Sequence, residues 1–219
     1  MEEIFIVRHA QADHLTNGKT GGWSDTRLTK VGQQQAENTG EKLQGLLKDK
    51  RYKLYCSDLS RARETAEIIG NYVTCKPIIK NGLRELNNGI AANKTREEAR
   101  LLEIPITRPI LDWVPYPEAE SWNMLYSRVA KCMEEINEDI TGTAVIITHA
   151  NTASAILQWW LEFPNEMIEK ITFEIDPCSI THVSITKWNK SKTVNRMNDT
   201  GHLRKITQEL VDIKMPHSR

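Results

Sequence analysis

The chain has 219 residues, 39% of them hydrophobic and 26% charged, with 29 Lys+Arg exactly balanced by 29 Asp+Glu. A chain of this length hides roughly 70% of its unfolded surface on folding, so it needs no disulfide framework, and its composition excludes a disordered tail. A formal net charge of zero, with no polybasic run, argues against a nucleic-acid or membrane-surface partner, so any anion site has to be local.

The N-terminus opens Met-Glu-Glu and passes straight into Ile4-Phe5-Ile6-Val7, without the basic leader of a signal peptide. That apolar run ends abruptly in Arg8-His9, as a strand buried on both faces does at an active edge. Thr29 is suited to cap a helix over residues 30–48, where Val31, Ala36, Leu43 and Leu46-Leu47 recur near helical period. Residues 52–56 read as a second strand. Ser57 or Asp58 then caps a helix with Leu59, Ala62, Ala66 and Ile69 on one stripe. A short strand is expected at 77–79.

Between residues 87 and 120 the pattern breaks up around Pro105, Pro109, Pro115 and Pro117, which reads as an insertion or lid. Helical periodicity returns over 121–140, and a third apolar strand at 144–148 runs into His149 and a helix over about 151–162. Residues 171–175 and 180–188 read as closing strands, and the polar end, 190–219, as loop or tail. One domain over 1–219 is expected. Strands alternating with helices predict a right-handed α/β sheet with helices on both faces, whose ligands gather at the carboxyl ends of the strands. No span approaches the ~20 apolar residues of a membrane crossing. Cys56, Cys75, Cys132 and Cys178 are scattered without a C-x-x-C pair, as free thiols are in a reducing compartment, so a cytoplasmic location is expected.

Two segments share a design: an apolar strand delivers Arg8-His9, and another delivers His149-Ala150 before a helix. Parallel strands would set both imidazoles at one sheet edge. Arg61 falls in the first turn of its helix, where the dipole disfavours a cation by some tenths of a kcal/mol and a bound anion would reverse the sign. Arg63, one turn before Glu67, is explained by a solvated ion pair. Arg8, Arg61, His9 and His149 would form a cationic cup for a phosphate monoester, whose oxygens arginine forks match. One imidazole then attacks phosphorus in line while a carboxylic acid protonates the leaving alkoxide. Glu85 is the candidate acid, set against a surface glutamate pairing with Arg84 or Lys80; Asp13, Glu118 and Glu120 are weaker ones. A metal site through His9, Asp13 and His14 lacks the usual pair spacing.

Arg8-His9-Ala10-Gln11, Ser57-Asp58-Leu59-Ser60-Arg61-Ala62 with Thr65-Ala66, Leu83-Arg84-Glu85 and Thr148-His149-Ala150 together resemble the histidine phosphatase superfamily, also called phosphoglycerate-mutase-like. Gly22-Trp23, Leu28-Thr29, Gly32, Glu120-Ser121 and residues 198–203 add to the likeness. The resemblance implies a three-layer α/β/α sandwich with a mostly parallel central sheet and no metal or other cofactor. It implies phosphorylation on His9, phosphate held by Arg8 and Arg61, a second histidine at His149 and proton donation by Glu85. Ala10 stands where the family has glycine, and Ala150-Asn151 where it has a glycine-rich pair. The family's asparagine aligns with Leu15, leaving Asn17 or Thr16 to reach the pocket. Asn17 and Ala150 join the residues expected to touch substrate.

The expected activity is hydrolysis of a small phosphorylated molecule through a phosphohistidine. Its rivals are a phosphoglycerate mutase and a non-catalytic phosphate-binding module. A mutase needs extra lid cations, and 87–120 offers Lys94, Arg96, Arg100 and Arg108 among Glu97, Glu98, Glu103 and Asp112. Trp159-Trp160 reads as core or subunit contact, with Trp113, Tyr116 and Trp122 better placed for substrate selection.

Overall fold

The computed structural model describes residues 1–203. Six strands form one sheet: β1 (Glu3–Arg8), β2 (Tyr52–Cys56), β3 (Ile78–Ile79), β4 (Thr143–Thr148), β5 (Ile180–Ile185) and β6 (Lys192–Asp199), in the order β3-β2-β4-β1-β5-β6. β3, β2, β4 and β1 run parallel, while β5 and β6 add an antiparallel edge.

Alternation of side chains explains the layers. Ile4 and Ile6 of β1, Tyr55 of β2, and Ala144 and Ile146 of β4 face one apolar cluster; Phe5, Val7, Leu54, Cys56, Val145 and Ile147 face another. The first cluster is closed by α5 (Trp122–Asp139) and α6 (Ala150–Trp160) through Leu125, Met133, Ile156 and Leu157. The second is closed by α2 (Lys30–Leu46) and α3 (Ser60–Val73) through Leu43, Ala66 and Ile69. The molecule is thus the expected α/β/α sandwich. Trp160 is buried and Trp159 packs against the first cluster.

α2 begins as read, with the Thr29 hydroxyl accepting from Gly32 N. α3 does not: its N-cap is Leu59, with no side-chain cap of its own. The Ser57 hydroxyl accepts from Leu59 N, Asp58 is engaged by Arg84, and it is Asp25, from a distant loop, that accepts from Ser60 N at 2.9 Å. Residues 171–175 are not a strand, because side chains take their backbone groups. Gln158 Nε2 donates to Ile171 O, Phe173 N to Ser154 Oγ, and Arg8 Nη1 to Ile175 O. Conversely, the stretch read as loop or tail from residue 190 contains β6. The remaining elements are short: α1 (Asp13–Thr16), α4 (Arg96–Arg100) and α7 (Asn165–Ile168). The rest of the tail, with His217, lies outside the described residues. Among the described residues no helix is long and apolar enough to cross a membrane, and all four cysteines are free.

Candidate active site

Register builds the site. β1 pairs with β4 so that Arg8 stands opposite Thr148, and His9 N donates to Thr148 O at 2.7 Å, which brings His9 and His149 side by side beyond the strand ends. Their ring centroids lie 5.1 Å apart and both are buried. His9 Nδ1 lies 2.7 Å from its neighbour's carbonyl, Ala10 O. A carbonyl only accepts, so Nδ1 carries the hydrogen and Nε2 the lone pair. Nε2 in turn accepts from Arg61 Nε at 3.1 Å.

Arg61 lies on the second residue of α3 and is 1% exposed. Besides His9, it donates from Nη1 to Ser24 O and from Nη2 to Gly22 O, each at 2.7 Å. Gly22 has φ of 59° and passes close to Asn88, so a side chain there would be both strained and crowded. Arg8 reaches over from β1 to Ile175 O, and its buried Nε has no partner. Burial lowers the pKa of both guanidinium groups, Arg61 to about 10, with Glu85 opposing the shift in each case. Both remain charged at neutral pH.

The imidazoles stay neutral. Burial first, then the Arg61 charge, pushes His9 and His149 well below the ordinary histidine range. His149 has neither ring nitrogen hydrogen-bonded although the side chain is fully buried. Buried polar atoms almost always find partners, so two orphans on one ring beside two arginines mark a place where an anion belongs.

Glu85 is claimed by neither of its expected surface partners: Arg84 forks onto Asp58 and Lys80 pairs with Glu135. Its carboxylate accepts from Leu86 N at 2.8 Å and, at 3.4 Å, from Asn151 N in the first turn of α6. The loop carrying it is tied by Arg128 of α5, which donates to the carbonyls of Gly82, Arg84 and Glu85 and forks onto Glu120. Trp23 adds a second donor to Glu85 O and stacks against Arg84. The role of Arg128 escaped sequence reasoning, because on a helix with many polar residues nothing local marks one arginine as turned toward a distant loop.

The other candidates lie elsewhere. Glu120 is taken by Arg128 and Asn87 N. Glu118 and Asp13 are exposed. Asn17 is exposed and accepts from Lys19 N, while the Thr16 hydroxyl donates to Asp13 O. Ala150 opens α6 directly after His149. Ala10 packs with Ala12, Leu28, Ala36, Cys178 and Leu203, so its methyl is absorbed by an apolar cluster. His14, by contrast, is buried with its ring centroid 5.6 Å from that of His9. Among the described residues no trio of His, Cys, Asp or Glu is gathered as a metal site.

The model of the histidine phosphatase superfamily (branch 1) matches residues 4–200. Sequence relatives include proteins named "Probable phosphoglycerate mutase GpmB". That of Photorhabdus laumondii is 25% identical over 84% of this chain and 85% of its own, and that of Escherichia coli O1:K1 27% identical over 93% and 95%. Among solved structures, a mycobacterial glucosyl-3-phosphoglycerate phosphatase complexed with VO3 superposes with a TM-score of 0.78 at 20% identity, covering 91% of this chain and all of the other. A mutant phosphoserine phosphatase from Entamoeba histolytica, in complex with phosphoserine, gives 0.75 at 22% identity, covering 93% and 100%. These structural likenesses concern the fold.

Proposed function

The chain belongs to the histidine phosphatase superfamily, branch 1, and from that premise we propose that it hydrolyses a phosphate monoester through a phosphohistidine on His9. The observation that carries this reading is the His9 and His149 pair: one ring has its tautomer set by Ala10 O, the other has both nitrogens buried without partners.

In the first step the Nε2 lone pair of His9 forms a bond to phosphorus as the ester O–P bond breaks. The electron pair leaves on the alkoxide, which takes its proton from Glu85. Arg8 and Arg61 hold the phosphoryl oxygens, with His149 donating to one of them. In the second step water attacks phosphorus, gives its proton to Glu85 and releases inorganic phosphate from His9. The low basicity of His9 keeps it unprotonated and nucleophilic in mildly acidic solution, so turnover persists on the acidic side of neutral.

The test is turnover of a generic aryl phosphate together with trapping of labelled protein from a labelled substrate. Wild type turns over and carries label on His9, and His9→Ala does neither. Absence of turnover in wild type, or its survival in His9→Ala, refutes the reading. The names of the sequence relatives favour a second one, a phosphoglycerate mutase. Against it, Arg108 of residues 87–120 is paired with Glu169. Interconversion of phosphoglycerates without phosphate release would reverse the order.

A further inference from the structure

We propose, building on the phosphomonoesterase reading, that His14 is a third imidazole of the site, its Nε2 contacting the phosphoryl group held against His9. α1 follows His9 by three residues, and His14 is its single buried side chain. Of the other polar side chains of that turn, Thr16 donates to Asp13 O, Asn17 accepts from Lys19 N, and Asp13 is exposed. His14 alone is drawn inward.

Its setting is built rather than incidental. Nδ1 is held by the Thr26 hydroxyl at 2.9 Å, and the opposite edge of the ring lies against Gly21, where a Cβ would come within 2.9 Å of Cδ2 and 3.1 Å of Nε2. The ring is thus fixed from two sides while Nε2 makes no hydrogen bond among the described residues. A hydroxyl both donates and accepts, so Thr26 leaves His14 free to present Nε2–H. The ring centroid lies 5.6 Å from that of His9. The rings of His14 and His149 flank that of His9, whose Nε2 accepts from Arg61 Nε, so three imidazoles and a guanidinium group share one small volume, and Arg8 also acts on His14. Burial, followed by those cations, lowers His14 to about 4, making it a neutral donor at working pH. Unlike both nitrogens of His149, His14 Nε2 is not sealed from solvent, so a ligand can reach it. As a phosphoryl contact, His14 does the work for which Asn17 or Thr16 would otherwise be needed.

Orthovanadate and inorganic phosphate binding to the whole protein, measured by calorimetry, tests the assignment alongside aryl phosphate kinetics. His14→Phe keeps the ring and removes the donor; it should weaken vanadate binding and lower kcat/KM by about 10- to 100-fold, the loss of one hydrogen bond to a charged group. His14→Asn restores a donor and should recover most of the loss. A His14→Phe protein that binds vanadate within twofold of wild type overturns the proposal and leaves the phosphatase reading standing. Wild type that binds neither anion overturns both. Where His14→Phe does not fold, imidazole nitrogen resonances of wild type decide: the His14 Nε2 signal moves on adding vanadate, and an unmoved signal refutes the contact.

Discussion

Arg61 shows how a residue that is locally costly becomes central. It sits in the positive first turn of α3, is almost wholly buried, and spends three donors on His9, Ser24 and Gly22. The misfit with the helix dipole was visible in the sequence, and so was the pairing of strand-terminal histidines, because both rest on local position. The Glu85 assignment was open in sequence because side-chain competition decides it: only coordinates show Arg84 and Lys80 committed to Asp58 and Glu135. His14 was weighed in sequence only within a metal site that its spacing disfavours, since nothing local tells which residue of a short turn faces inward. For Glu85 the leaving group is diagnostic. Glu85→Gln should slow an alkyl phosphate by about 10²- to 10⁴-fold and an aryl phosphate, whose leaving group needs little protonation, far less. Equal losses in steady-state assays of the two esters would remove Glu85 as the acid.

At the scale of elements, periodicity located every strand with an apolar face and missed β6, whose exposed polar sequence owes its conformation to pairing with β5. It over-read residues 171–175, where Ile171, Phe173 and Ile175 alternate as in a strand but side chains consume the backbone groups. Caps behaved likewise. Thr29 was recognisable because its partner is three residues away, whereas Asp25 reaches α3 across 35 residues. Asp25→Ala should therefore cost about 1 kcal/mol in urea unfolding, the usual worth of a lost N-cap. The join between α2 and the segment after His9 is tighter still: a Cβ on Gly32 would lie 2.0 Å from Gln11 O. Gly32→Ala should destabilise by at least about 1–3 kcal/mol in the same measurement. Arg128 ties three carbonyls of the Glu85 loop, and lysine cannot reproduce its planar fork. Arg128→Lys should lower kcat more than it raises KM and alter the pH profile of kcat; an unchanged profile would show that the tie is only structural.

For the whole molecule, the buried imidazoles link stability to pH. His9 and His149 are pushed well below, and His14 to about 4 from, an unfolded value near 6.5. Below that value the unfolded chain takes up protons that the folded one refuses. Stability is therefore complete above about pH 6.5 and falls as the solution is acidified through the window down to 4 and beyond, by up to about 1.4 kcal/mol per pH unit for each histidine. Urea midpoints at pH 7.5, 6 and 5 should drop progressively, less so in His14→Phe, and added phosphate should restore them by favouring the charged rings in the folded state. A flat dependence would contradict the burial of these rings.

The placement of β1 has a consequence for synthesis. The strand that leads into His9 is the first of the six in chain order, yet its two sheet neighbours, β4 and β5, span Thr143–Thr148 and Ile180–Ile185. A growing polypeptide must carry that apolar segment unpaired until β4 has been translated, and it gains its second neighbour only when β5 follows. During that interval the emerging product has no competence to react with substrate, and its leading end is a natural client for a chaperone.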